Sequence, residues 1–383
     1  MRTALFTILG MGLLLLVVYD VYATILHARA RSGPISESLN RTAWLMARAI
    51  AFKLSRPHRH RFLNTIGPIL LPLSIILFIL MVLTGYALIY YPRMPGEFVF
   101  AMHDAENPLI EAFYFSGITL TTAGYGDIVP RTPGMRIAAM VESASGFALI
   151  SLGITYLLTV YSALERKRAV ALSFYHQAVE GADVAGLIEH HFVADRFYGL
   201  ETTMRLATRD IQGLLESHVE HPVIHYFHPV EVYKSLPRML FLILETCAVI
   251  QSCLDEEEYA EIRRHPVTRT LQASSWHVLS ELVAALDLER RTKPRTEESL
   301  SEEERRWKRR FRQTIKRLDQ AGIRTQPDID AGWEEYRSRR EEWESALHRF
   351  SSYLGYDWDE VTGDRDLNYA ADEEMEEPHV RQR

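Results

Sequence analysis

Two cysteines in 383 residues, Cys247 and Cys253, leave no disulfide framework to build on. They stand six apart on a segment predicted as a helix and read as reduced core residues. A basic excess is also missing, with 43 Lys and Arg against 50 Asp and Glu and a net charge of -7. Residues 1–162 hold 12 basic and 8 acidic side chains, and the remainder holds 31 and 42. The C-terminal part is therefore acidic, which argues against nucleic acid as a partner. No Gly-x-Gly-x-x-Gly follows a strand, and there is no phosphate-binding P-loop and no nucleophile–base pattern, so nothing supports an enzyme. Internal repeats are absent. His190, His191, His218, His221, His225 and His228 match no zinc spacing, and Pro222 interrupts the run. They read as surface or packing histidines, and no transition-metal site or cofactor is assigned.

What the chain does have is long apolar runs, at residues 4–26, 66–90 and 135–161. Each reaches the roughly 20 residues needed to cross the hydrocarbon. Between the first two lie Arg29, Arg31, Arg41, Arg48, Lys53, Arg56, Arg59 and Arg61 against one acid, Glu37. The third run ends at Arg166-Lys167-Arg168. Positive-inside logic puts both basic flanks in the cytoplasm, the N-terminus outside and the C-terminus inside a plasma or inner membrane. The first run reads as a retained anchor, because export of the basic segment after cleavage would invert the next span. Asp20 within it is expected near the cytoplasmic interface or as a partner for an arginine.

Between the second and third runs stands Thr121-Thr122-Ala123-Gly124-Tyr125-Gly126-Asp127. A cation entering a narrow pore must exchange its water shell for oxygen ligands, which a strand of backbone carbonyls supplies. To aim successive carbonyls at one axis the backbone must alternate with left-handed conformations, which Gly124 and Gly126 adopt at little steric cost. The Thr122 hydroxyl adds an oxygen at the inner end, Tyr125 points away from the ions as a brace, and Asp127 anchors the outer end. Upstream, Asn107-Pro108 begins a predicted helix ending at the threonines, its C-terminal partial negative charge turned toward the axis. Downstream, Ile128-Val129-Pro130 turns the chain. One such loop cannot enclose an ion, so four copies are expected around an axis. Glu97, Asp104, Glu106, Glu111 and Asp127 against Arg93 and Arg131 would give those copies an acidic vestibule.

On these residues the chain resembles the pore-loop potassium channels, especially the bacterial two-helix type, with an extra N-terminal span. The resemblance covers about residues 66–165. It implies an all-α membrane fold of outer helix, pore helix, selectivity filter and inner helix. It also implies K+ bound by Thr122, Ala123, Gly124, Tyr125 and Gly126, and a homotetramer conducting passively. Thr121, Asp127 and Glu142 would support the filter, with Glu142 bonded to pore-helix hydroxyls such as Thr119. Gly146, twenty residues after Gly126, matches the hinge position, and Gly153 reads as a packing glycine. Ile150, Ile154 and Leu158 would line an apolar constriction. Ala123 departs from the usual valine, a loss on the order of 1 to 2 kcal/mol of packing that predicts a softer filter. No nucleotide-binding domain and no arginine ladder follow the pattern of other channels, so the gating signal and any cytoplasmic ligand or protein partner are unassigned.

The remainder is predicted as a helical cytoplasmic domain, with apolar periodicity at 197–215, 236–254 and 271–288. Breaks fall at His221-Pro222, His228-Pro229 and His265-Pro266. The charged stretch 291–317 reads as a solvated helix or linker. The expected organisation is an anchor at 1–27, a basic linker or interfacial helix at 28–65, a pore domain at 66–162, a helical domain at 163–362 and an acidic disordered tail at 363–383. An alternative, a non-conducting membrane scaffold whose helical domain binds a partner, has no physical need for Thr122, Gly124 and Gly126 together.

Overall fold

A computed structural model describes residues 1–27, 32–101, 107–178, 184–289 and 297–363. Among the described residues the regular structure is helical apart from two short antiparallel ribbons. Among the described residues three helices are long and apolar enough to cross a membrane, at Arg2–Leu26, Arg56–Arg93 and Pro133–Gln177. The described part of the chain forms two compact units. The expected tail begins at Gly363, which ends the last helix, and the rest of that tail lies outside the described residues.

The first unit comprises Met1–Ala49, Thr65–Ser162 and Val219–Phe227. Its elements are α1 (Arg2–Val21), α2 (Pro34–Ala51), α3 (Arg56–Tyr90), β1 (Phe98–Phe100), α4 (Pro108–Leu120), β2 (Ile128–Pro130) and α5 (Pro133–Gln177), of which α2, α3 and α5 extend into the second unit. Helices α1 and α3 run antiparallel. Phe6 meets Tyr91 edge-on at 5.1 Å, Arg93 donates to the Thr7 hydroxyl at 2.9 Å, and Gly10 lies so close to Gly85 that a Cβ would stand 2.4 Å from its carbonyl. Small residues at a helix crossing permit this approach where lipid supplies no hydrophobic drive. Asp20 is fully buried and caps α2, accepting from the Ile35 N–H at 2.6 Å and the Ser36 hydroxyl at 2.6 Å. An aspartate at a helix start meets orphan N–H groups and the positive end of the helix dipole. Here it arrives from another helix rather than from the preceding residue.

The segment Val219–Phe227 packs on the same unit. Tyr226 lies 5.7 Å from Trp44, and His221 lies edge-on to Tyr156 at 5.7 Å. His221 is therefore an aromatic packing residue, and no group of metal-ligating side chains occurs among the described residues.

The second unit comprises Ile50–Asn64, Ala163–His218 and the described residues from His228 on. Its further elements are α6 (Val184–His190), β3 (Phe192–Val193), β4 (Arg196–Phe197), α7 (Leu200–Glu220), α8 (Leu236–Ser252), α9 (Ala260–Arg263), α10 (Pro266–Ala285), α11 (Glu297–Gln320), α12 (Ile329–Tyr353) and α13 (Trp358–Thr362). Every residue of α8 is buried, and α6, α10, α12 and α13 surround it. A helix apolar all round has no solvent face to present. Cys247 and Cys253 are free and buried on and just after it, and burial pushes both thiols up to about 12.

The charged stretch 291–317 is not merely a solvated helix. Trp307, Phe311, Ile315 and Leu318 of α11 are buried, a thin apolar stripe at spacings of four and three that joins the core. Helix α12, which the sequence reading did not isolate, contributes Trp333, Tyr336, Trp343, Leu347 and Phe350 in the same way.

Candidate ion-conduction site

Asn107 starts the pore helix α4, its side chain accepting from the Leu109 N–H at 3.1 Å, with Pro108 at the first helical position. At its other end the N–H groups of Thr121 and Thr122 donate to Gly117 and Thr119, and those of Ala123 and Gly124 both donate to the Ile118 carbonyl, at 2.8 and 3.2 Å. In a trans peptide the carbonyl points opposite to the N–H. The carbonyls of Thr121, Thr122 and Ala123 therefore point away from the pore helix, toward the side the chain leaves open.

Alternation follows in the dihedral angles. Thr122, Gly124 and Gly126 have φ of 59°, 51° and 80°, while Ala123 and Tyr125 between them do not enter the left-handed region. The two glycines were expected there. Thr122 was not, because a β-branched residue resists positive φ. All six residues from Thr121 to Gly126 are exposed in the single chain, and Tyr125 is 74 % exposed.

Beyond the filter, Asp127 accepts the Tyr114 hydroxyl of the pore helix at 2.7 Å, which fixes the outer end. Ile128-Val129-Pro130, expected as a simple turn, is β2, paired in register with β1 as Phe98 to Pro130 and Phe100 to Ile128. The Ala101 N–H adds a bond to the Asp127 carbonyl at 2.8 Å. Of the acidic side chains proposed for a vestibule, Glu97 accepts from Thr132 at 2.7 Å, and Asp104 and Glu106 lie outside the described residues.

Glu142 is fully buried on α5 and does bond the pore helix, one turn earlier than expected. Its partners are the Ser116 hydroxyl at 2.5 Å and the Tyr90 hydroxyl at 2.7 Å, rather than Thr119. Tyr90 in turn sits edge-on to Phe98 and Phe115 at 5.7 and 5.1 Å, so one carboxylate joins inner helix, outer helix and pore helix inside an aromatic cluster. Sequence spacing pointed to α4 but carried no signal for Tyr90, which is 52 residues away.

Helix α5 passes unbroken through Gly146 and Gly153. A Cβ on Gly146 would stand 2.0 Å from the Leu120 carbonyl, so this glycine admits the end of the pore helix against the inner helix. Gly153 packs on the end of the Ile75 side chain, 3.1 Å from where a Cβ would lie. Ile150, Ile154 and Leu158 are 45 %, 59 % and 61 % exposed on the face away from the chain's own core. Beside the filter an apolar concavity of about 840 Å³ is lined by Thr122, Val129, Met140, Ser143 and Phe147, among others.

The sequence profile of the ion channel family matches residues 74–163, from mid-α3 to the point where α5 leaves the first unit. The human potassium voltage-gated channel subfamily A member 7 is 32% identical over 80 residues, 21% of this chain and 15% of its own length. The rice two pore potassium channel c is 33% identical over 63 residues, 16% of this chain and 14% of its own. Residues 74–163 thus resemble the pore-loop potassium channels. A Bacillus subtilis protein, the uncharacterized membrane protein YdjJ, is 27% identical over 226 residues, 58% of this chain and 64% of its own length. The chain thus spans just under two thirds of that relative and about one seventh of the channel relatives. No solved structure matches the chain. The chain combines three helices long and apolar enough to cross a membrane with a segment similar to the ion channel family.

Proposed function

We propose that four copies of this chain form a potassium-selective channel that passes K+ down its electrochemical gradient. The alternating backbone at Thr122, Gly124 and Gly126 carries this reading, because it aims a row of carbonyls in the way that dehydration of K+ requires. Four equivalent strands are needed to surround the ion, and the open side of the filter with its apolar concavity suits a neighbouring copy. Tyr125 then braces against that neighbour. Ile150, Ile154 and Leu158 line the inner pore, where an apolar ring closes by dewetting. Gly146 is the hinge candidate and already a close-packing point. The N-terminus lies outside and the helical C-terminal unit in the cytoplasm of a plasma membrane, consistent with the antiparallel packing of α1 on α3 and with the basic flanks. That helical unit gates or assembles the pore, since α3 and α5 each continue into it.

The test is cation flux in proteoliposomes under a potassium gradient, with sodium as control and Gly124→Ala as comparison. Potassium flux that the variant loses supports the channel. Assembled tetramers that pass no potassium, with or without the residues after Arg168, overturn it.

A further inference from the structure

Two buried histidines from distant parts of the chain meet in the second unit. His60, on the second turn of α3, places Nδ1 2.8 Å from Nε2 of His228, and the rings stack at 5.1 Å. Nδ1 of His228 lies 2.9 Å from the Leu354 carbonyl, and Nε2 of His60 lies 3.1 Å from Oε1 of Glu360. Tyr356 covers the pair, its ring 4.2 Å from His228 and 5.5 Å from His60. His60, His228 and Tyr356 are each at most 5 % exposed.

Counting protons along this row decides its state. A carbonyl only accepts, so His228 donates from Nδ1 and, as a neutral ring, accepts at Nε2. His60 must therefore donate from Nδ1. If His60 were neutral its Nε2 would be a lone pair facing a carboxylate, two acceptors within hydrogen-bonding distance. Three links need three protons, and two neutral imidazoles supply two. The third sits between His60 and Glu360.

We propose that His60, His228 and Glu360 form a buried proton-binding site whose occupancy clamps the first turns of α3 to residues 354–360. Occupied, the site holds a His60 imidazolium bonded to the Glu360 carboxylate and to a neutral His228. When the proton leaves to solvent, one link is replaced by repulsion between two acceptors, and the clamp loosens. Neighbouring groups suit that assignment. Burial and the charge of His60 push His228 down to about 3, so it stays neutral. Burial opposes the charge of Glu360, but bonds from His60 and the Asp357 N–H outweigh it and hold the carboxyl below its usual value. On α3, Arg56 and Arg59 reach Asp357 at 2.7 and 2.6 Å, and Arg56 reaches Asp359 at 2.8 Å. Arg59 also stands 3.7 Å from Glu360. From α5, Lys167 acts on His228, and Glu231 acts on Tyr356. The arginine–carboxylate pairs keep their charge across the neutral range, while burial pushes Lys167 down to about 8, so variants that keep Lys167 but alter His60 or Glu360 separate its contribution from that of the histidine–glutamate link.

Helix α3 runs without a break from this clamp into the outer helix of the pore module. Under the proposed channel function a proton on the cytoplasmic side therefore acts on the helix that supports the filter. The clamp itself is independent of conduction and is read without it.

Hydrogen exchange of the full-length protein in lipid nanodiscs, at roughly pH 6 and pH 9 to bracket the range in which imidazoles titrate, tests the site after correction for intrinsic rates. Protection of residues 354–363 and 56–64 should fall about tenfold or more at the higher pH in the wild type, the worth of one charge-assisted bond. Glu360→Gln offers an amide N–H to a neutral His60, so all three links persist without the extra proton. Gln also keeps the capping bond to Asp357. Its protection should be high and equal at both values. His60→Gln, which removes the titrating ring, should also lose the pH response. Wild-type protection that does not change with pH, or variants that keep the wild-type response, would overturn the proposal.

Discussion

The Tyr90 hydroxyl donates to the Glu142 carboxylate at 2.7 Å at a point where outer, inner and pore helices converge. Because both groups are buried, removing one strands the other, and the desolvation of an orphaned polar group outweighs the modest net worth of the bond itself. Glu142→Leu should therefore destabilise the protein by about 1 to 3 kcal/mol, since it orphans the Tyr90 hydroxyl, while Ser116 keeps its bond to the Leu83 carbonyl at 2.9 Å. Glu142→Gln accepts from Tyr90 and still meets Ser116, so it should assemble like the wild type. Thermal unfolding of the detergent-solubilised protein distinguishes the two.

Gly146 and Gly153 should respond differently to alanine. At Gly146 the added methyl meets a backbone carbonyl, which cannot move without shifting the end of the pore helix and the filter behind it. Gly146→Ala should cost about 1 to 3 kcal/mol or more and reduce ion flux. At Gly153 the obstacle is the end of a flexible isoleucine, and Gly153→Ala should fall within about 1 kcal/mol of the wild type. Equal losses in the two variants, measured side by side, would contradict this contrast.

The Ala123 position allows a gain-of-function test. Under the proposed assembly a larger side chain at Ala123, which is exposed in the single chain, would pack behind the filter strand for on the order of 1 to 2 kcal/mol. Ala123→Val should raise the potassium-to-sodium permeability ratio and slow any inactivation, as bi-ionic flux measurements would record. A ratio that does not rise would remove the idea of a softened filter.

His228 sets an acid limit on the second unit. Its ring titrates near 6.5 when unfolded and is pushed down to about 3 when folded. Between those values the unfolded chain binds more protons, so stability is full above the upper value and falls as pH drops toward the lower. Denaturant midpoints of the full chain should decline on acidification from roughly pH 6.5 to pH 4, and His228→Gln should flatten that slope. An acid slope unchanged in the variant would place the loss elsewhere.

Much of the pore module was legible in the sequence because its signals are local. Long apolar runs mark the spans, Asn107-Pro108 marks the pore-helix start, and two glycines mark the left-handed positions of the filter. What escaped was of two kinds. Thr122 adopts a conformation its residue type disfavours, so only the surrounding hydrogen bonds to Ile118 and Thr119 reveal it. Partnerships such as Tyr90 with Glu142, Asp20 with the start of α2, and His60 with His228, 168 residues apart, depend on tertiary contact that no local pattern encodes. In α11 the apolar stripe of Trp307, Phe311, Ile315 and Leu318 was hidden by the density of charge around it.

The buried helix α8 also bears on how the chain is made. Its two charged residues find partners late, since Tyr336 follows Glu245 by 91 residues and Val361 follows Arg238 by 123. At translation rates of about 5–20 residues per second, α8 waits on the order of 5 to 20 s for those partners. Throughout that interval it is an apolar segment emerging behind freshly inserted spans, a candidate for mistaken insertion. Glu245, at the middle of α8, opposes that outcome most, because an acidic charge at the centre of a bilayer helix costs about 2.5–3.5 kcal/mol on the insertion scale, and Arg238 near the helix start adds to it. The same two side chains thus direct the nascent helix to the aqueous side first and become interior hydrogen-bonding groups of the finished unit afterwards.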